Sequence, residues 1–374
     1  MRYFIKFGLI SFFLIGIVSC HKALPVPEPQ PQYDPRNISR TETFSSSPVF
    51  DIMGNHVVVV WSESDDGPSW DSNFEIMFRE RVNGKWRKMQ NISNTQGPSL
   101  TPQVDIDIHG NIHVVWSENG EICYRMRNTH GKWGNIQYLG HGSIPSVGSD
   151  REGNVYVIWQ NLGLWYRQKQ VGSPSWTEQQ GFAHGWADNP SLYVTEGGRL
   201  YVVAEGGHSS IRDIYLYEKL PGEGWSEYFN VTNNGSYCWS SSVYGTDEGK
   251  VYVSWTEYGI NKVGFRIRNE DGTWEDIDTL PDIEGGPWNS FVWGNKDTLI
   301  IIWEEKIDNW DIYYRTKINN SFSKRINMTR TSGNSFMGFF PKIINGIIYI
   351  VWSDSTDGNF DIFYDEIPIG LEER

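Results

Sequence analysis

An all-β fold, a seven-bladed β-propeller of four-stranded antiparallel blades, is predicted by two features of this chain. One motif recurs seven times at intervals of 43 to 55 residues. The two ends of the array are incomplete in complementary ways, as a ring closed by strand exchange requires.

The repeat is plainest where Pro102–Trp133 is laid beside Pro145–Trp176. Each unit carries an apolar strand, a Gly or Asn turn, a β-branched strand ending in Trp, and a strand of Ile-Tyr-Tyr-Arg character. The second strand is anchored at Trp61, Trp116, Trp159, Ala204, Trp255, Trp303 and Trp352. Third strands follow near Phe74–Arg79, Glu121–Arg125, Leu164–Arg167, Asp213–Tyr217, Val263–Arg268, Asp311–Arg315 and Asp361–Tyr364, and a Gly-x-Trp or its variant opens most fourth strands. Turns such as Gly110-Asn111 and Asn345-Gly346 tolerate the positive φ of tight hairpins. A four-stranded sheet of this size cannot bury its own faces, so it must stack on its neighbours, and an indole at each second-strand end suits the wedge between blades.

The ends support the count. The last unit stops after Tyr364 without a fourth strand, while the array is preceded by Asn37-Ile38-Ser39-Arg40-Thr41. That opening matches the fourth-strand ends Asn91-Ile92-Ser93, Asn230-Val231-Thr232 and Asn327-Met328-Thr329. The N-terminal strand is therefore expected to complete the last blade, giving a propeller over 37–374.

Residues 1–20 carry Arg2 and Lys6, an apolar run from Phe7 to Val18 and a small residue before Cys20, the pattern of a secretory signal too short for a comfortable span. Ile17-Val18-Ser19-Cys20 resembles the lipobox of bacterial lipoproteins, which implies lipidation at Cys20, a membrane contact through that anchor and a cell-envelope location: outer membrane, periplasmic face or cell surface. Residues 21–36 hold Pro25, Pro27, Pro29, Pro31 and Pro35, an extended linker. Without Arg2 and Lys6 the chain keeps 30 basic against 46 acidic residues, a net charge of −16, which excludes nucleic acid as a partner. Cys123 and Cys238 fall three blades apart and are expected to be free thiols. A monomer is expected.

The pattern Val-Val-Trp-Ser-Glu, then Glu-Ile-x-Tyr-Arg, then Gly-Lys-Trp resembles the sialidase-like, BNR-repeat propeller superfamily. The Asp-box of that family survives only as Asn269-Glu270-Asp271-Gly272-Thr273-Trp274, and its arginine triad and nucleophile pair have no counterpart here, so sialidase activity is not expected. Trp352–Ile362 is also similar to the repeats of periplasmic TolB-type propellers.

Function on such a scaffold belongs to the loops between strands 2 and 3 and between strand 4 and the next strand 1, which share one face at the channel mouth. Acids stand at or near the second-strand corner in six blades: Glu63, Glu118, Glu205, Glu257, Glu305 and Asp354. They could accept hydrogen bonds from a ligand, or pair with arginines such as Arg79, Arg125 and Arg315 of neighbouring blades. Trp186, Tyr237, Trp239, Trp288 and Phe336 place large aromatics in the strand 4 to 1 connections, where rings stack on the C–H face of sugars. Blade four has Ala204 in place of the indole, followed by Glu205-Gly206-Gly207-His208, which predicts an opening lined by His184, Glu205 and His208. These three are the candidate catalytic residues. Ligand candidates are Trp186, Tyr237, Trp239, Trp288, Glu257 and Glu305. The leading expectation is a glycan or related extracellular ligand, with a polysaccharide lyase or hydrolase and an envelope protein scaffold as alternatives. No cofactor is expected, although Asp-rich stretches at 62–73 and 354–361 could offer oxygens to calcium.

Overall fold

Antiparallel hairpins account for all the regular structure among the described residues, and they form seven sheets. The computed structural model describes residues 34–370 except 70, 71, 186, 209, 210, 296, 320, 339 and 340, with the side chains of His184 and His208 also left undescribed. The signal, the lipobox at Cys20 and nearly all of the linker lie outside the described residues.

Blade two shows the plan: Ser99–Ile106, Ile112–Glu118, Glu121–Arg127 and Gln137–His141 pair in chain order from the channel outward. Blades three, four and five repeat it, and blades one and six differ only in a fourth strand made of two short pieces. In blade seven the inner strand is split into Ser335–Met337 and Lys342–Ile344, both on Ile347–Asp354, with Asp361–Pro368 outside.

The N-terminal segment supplies what blade seven lacks. Ile38 N–H donates to the Ile362 carbonyl at 2.7 Å, Tyr364 N–H donates to Arg36, and Asn37 bridges Phe363. The match to complete blades extends to single atoms. The Ser39 hydroxyl accepts from Ile362 N–H and donates to Asp361. Ser93 does the same with Ile76 and Glu75, Thr232 with Ile214 and Asp213, and Thr329 with Ile312 and Asp311.

Seven apolar clusters correspond to the seven seams between blades. Each anchor indole faces the preceding blade: Trp116 packs with Val58 and Phe78 of blade one, and Trp61 packs with Val351 and Ile362 of blade seven. All six anchor tryptophans are fully buried. Third-strand arginines cross the same seams on the outside. Arg79 donates to the Ile38 carbonyl, Arg125 to Ile92 and Arg266 to Val231, each to the fourth strand of the blade before. They lie over Trp86, Trp133 and Trp274, which gives the Gly-x-Trp motif a cation–π role. Arg79 and Arg125 therefore bond carbonyls and not the corner acids anticipated for them, and Arg315 pairs with Asp282; arginine–acid pairs do cross the seams elsewhere, as in Arg127–Glu80 and Arg268–Glu218. Cys123 and Cys238 are free and buried; burial pushes the Cys238 thiol up to about 12.

Candidate functional site

The corner acids divide into two sets according to their distance from the anchor. Glu63, Glu118, Glu257, Glu305 and Asp354 stand two residues after the tryptophan and accept its indole N–H at 2.8 to 3.3 Å. All five are buried. Glu257 also accepts from Asn234, and Glu305 from the Glu284 and Gly285 amides and Arg325. Both were ligand candidates on sequence, but a buried carboxylate already bonded to an indole and further donors offers no surface to a ligand. They hold the seams.

Glu205 stands one residue after the anchor position, so strand alternation turns it to the other face of the sheet. Of its six counterparts, Thr256 and Ser353 donate to carbonyls of their own blade, while Ser117, Gln160 and Glu304 behave like Glu205. Glu205 and these three each reach across to the inner strand of the next blade and accept a backbone N–H: Ser117 from Ile144, Gln160 from Asn189, Glu205 from Ser240, Glu304 from Met337. The first three recipients sit in bulges with φ of 49°, 48° and 52°. A left-handed Ile144 is uncommon for a β-branched residue and is held here by the capped amide.

Around these bulges lies a cavity of about 210 Å³ at the channel mouth, lined among others by Thr101, Asn189, Glu205, Trp239 and Asn289. Three of its lining residues, Trp239, Ser191 and Ser241, have a buried side-chain polar atom with no protein partner among the described residues. Arg212 donates to Glu205 at 2.8 Å and to Asp188, with its guanidinium over the Tyr237 ring. Burial raises the Glu205 carboxyl above its ordinary range, against the opposing pull of the Ser240 amide and Arg212. Glu304 is fully enclosed, and burial pushes its carboxyl up to about 8.

From this cavity a chain of aromatic rings leads along the mouth over blades five, six, seven and one. Trp239 meets Tyr258 on one side and Trp288 at 4.3 Å on the other. The contacts continue from Trp288 to Trp310, Phe336, Phe360 and Phe44, with centroids 5.5 to 5.8 Å apart. Trp288 is 42% exposed and Tyr258 71%. The structure thus brings together Glu205, Tyr237, Trp239 and Trp288 from the sequence candidates. Trp239, Trp288 and Phe336 belong to inner strands, Cys238–Gly245, Gly286–Gly294 and Ser335–Met337, and not to the connections where the sequence reading put them. Tyr258, Trp310, Phe360 and Phe44 were not anticipated.

The opening expected at blade four is closed at its base. Ala204 is fully buried with Ala183, Ala187, Leu192 and Tyr217, so small and large neighbours fill the place of the missing indole. Trp186 lies outside the described residues, as do the side chains of His184 and His208, whose backbones pair with Gly163 and Ile211. No group of three or more His, Cys, Asp or Glu is arranged to hold a metal among the described residues. Asp361 and Asp357, in one of the stretches considered for calcium, bond Asn37 in the ring closure.

Ring closure, seam clusters and mouth define the chain as a seven-bladed β-propeller. No protein-family model matches it, and no curated protein is significantly similar in sequence. Among solved structures it is similar to an ulvan lyase of polysaccharide lyase family PL25, 11% identical over 87% of this chain and 94% of that one, with a TM-score of 0.62. It is similar to polysaccharide lyase Uly1 at 9% identity, covering 92% of this chain and 94% of that one, with a TM-score of 0.59. A protein of unknown function from Dyadobacter fermentans DSM 18053 is 12% identical over 89% and 97% of the two chains, with a TM-score of 0.58. At these identities the likeness is one of fold.

Proposed function

We propose that the protein is an exported, lipid-anchored propeller, related to the sialidase-like type, that binds glycan at the channel mouth. The observation that carries this reading is a cavity of about 210 Å³, lined by Asn189, Glu205, Trp239 and Asn289 among others, beside a row of half-buried aromatic rings. A sugar offers hydroxyls to the polar lining and a C–H face to Trp288. Two structurally similar proteins are polysaccharide lyases, which supports a saccharide on this scaffold.

Binding is favoured over cleavage because the one placed catalytic candidate, Glu205, is 1% exposed and bonded to Arg212 and the Ser240 amide, leaving it poorly set to move a proton. A lyase or hydrolase using His184 and His208 is the second reading, supported by the same two lyases. A glycan array with the wild type and with Trp239→Ala and Trp288→Ala separates the readings. Binding is expected, weakened about tenfold or more by loss of either ring, since stacked aromatics dominate such contacts. Product release from a polysaccharide panel would favour the enzyme, and no glycan bound by any form would sink both. Metabolic labelling with a fatty-acid probe, lost in Cys20→Ala, checks the anchor.

A further inference from the structure

The channel's other end carries a second constellation. Because every inner strand runs in the same sense beside its second strand, residues paired three positions before the anchor form one level of the ring. Strand pairing sets Asp51 opposite Val58, Asp105 opposite His113, Gly148 opposite Tyr156 and Tyr193 opposite Tyr201. It continues with Tyr244 opposite Tyr252, Trp293 opposite Ile300 and Lys342 opposite Tyr349. One girdle therefore receives a single residue from each blade.

This girdle is divided by chemistry. Blades four, five and six give a connected aromatic half, with Tyr193 4.7 Å from Tyr244 and Tyr244 5.8 Å from Trp293. Blades seven, one and two give a charged half: Lys342 is paired with Asp51, and Asp105 accepts from the Ser149 hydroxyl at 2.5 Å. Asp51 is saturated, since it also accepts the Ile52 and Ile106 amides. Lys342 and Asp105 are not: the Lys342 side chain keeps 39% of its surface open, and Asp105 lines the cavity only half-buried, its carboxyl pushed up to about 6 by desolvation and by the neighbouring Asp51. Between the halves, blade three contributes Gly148, which lets the Val194 side chain pack against the strand; a Cβ there would stand 2.7 Å from the Val194 methyl. All of these groups except the buried Asp51 line a cavity of about 480 Å³ drawn from all seven inner strands, which is within the roughly 300–1,000 Å³ of small-molecule sites.

We propose that this end of the channel is a separate site for a single neutral, pyranose-sized sugar. An anion would meet the Asp105 carboxylate and a cation the Lys342 ammonium, so the pair favours an uncharged ligand that both donates and accepts. A pyranose does this. Its C–H face lies on Tyr244 and Trp293 while its hydroxyls accept from Lys342 and donate to Asp105 across the channel. The site stands whether or not the opposite mouth binds glycan.

The test is ligand-detected saturation-transfer NMR and calorimetry on the intact protein with free glucose, galactose, mannose and xylose, and with tetramethylammonium and acetate as charged probes. At least one monosaccharide is expected to bind. Trp293→Ala should weaken it about tenfold or more and Asp105→Asn severalfold. Tyr244→Phe, which keeps the ring, should retain most of the binding and guards against a misfolded Trp293 variant. The inference is overturned if no monosaccharide binds, if a charged probe binds in preference, or if binding is lost in Trp288→Ala and kept in Trp293→Ala. That last result would instead support the mouth as the only sugar site.

Discussion

Replacing Ser39 by alanine asks whether the N-terminal segment is a true fourth strand. Its hydroxyl donates to Asp361 at 2.6 Å and accepts from the Ile362 amide at 2.8 Å, across 322 residues of sequence. Both bonds are buried. Alanine deprives Asp361 of a charge-assisted bond, worth about 1.5–3 kcal/mol, and strands the Ile362 N–H, at about 1 kcal/mol more. A loss of about 2–4 kcal/mol is therefore expected. The internal standard is Ser93→Ala, which removes the same two bonds, to Glu75 and Ile76, within a blade of continuous chain. Urea unfolding followed by tryptophan fluorescence should place the two variants within about 1 kcal/mol of each other. If Ser39→Ala stays within about 0.5 kcal/mol of wild type, the range of ordinary surface changes, while Ser93→Ala is clearly weakened, the segment does not close the ring and the reasoning fails.

Two further outcomes follow from the buried acids. Glu305→Ala leaves the Trp303 N–H and two amides without their acceptor and Arg325 with Glu284 alone, and should cost about 3–5 kcal/mol in the same unfolding measurement; a loss under about 1 kcal/mol would show that the acid is not a seam element. Glu304 gives a pH signature: burial raises its folded carboxyl from 4.5 to about 8, so its contribution is complete below the unfolded value and disappears as pH climbs through the folded one. Glu304→Gln keeps an acceptor for the Met337 amide and cannot ionise, so its stability relative to wild type should rise by roughly 3–5 kcal/mol between about pH 4 and about pH 9. Parallel pH profiles for the two proteins would refute the burial argument.

Blade number, anchors and closure were legible because each is written in local sequence. The indoles mark second-strand ends directly, and Asn37-Ile38-Ser39 repeats the fourth-strand wording of Asn91-Ile92-Ser93 closely enough to assign its pairing. The corner acids were legible as a group but not in their roles. A shift of one residue separates Glu205 from Glu305 relative to the anchor, and in a strand one residue reverses the face. Counting from the anchor would have made the distinction, since Glu205 follows it by one and Glu305 by two. The amide captures by Ser117 and Gln160 had no such marker, because their recipients lie in bulges of the next blade about 30 residues on, and bulge position depends on tertiary register. The same bulges explain why Trp239 and Trp288 read as loop residues: an irregular start interrupts the period-2 pattern that announces a strand. Ala204 misled for another reason. Loss of a large side chain predicts a hole only if neighbours stay in place, and here Tyr217 and Leu192 close around the alanine.

The amide captures also bear on why a mouth built from inner strands can recognise a ligand at all. A bulge residue held at positive φ is a strained element, of order 1–3 kcal/mol, that persists only when its surroundings fix it. Each capture is made by a side chain of the preceding blade, whose own position is set by the adjacent fully buried anchor, so the mouth is specified by the same seams that hold the ring together. Glu205 joins Ser240, Ser240 joins Asn289, and Asn289 joins Glu304, which in turn holds Met337. Four successive blades are thereby tied at the rim beside the unpartnered Trp239 N–H. A site fixed in this way loses little freedom when a ligand arrives, and that saving raises affinity for a flexible, hydroxyl-rich partner more than additional contacts on mobile loops would.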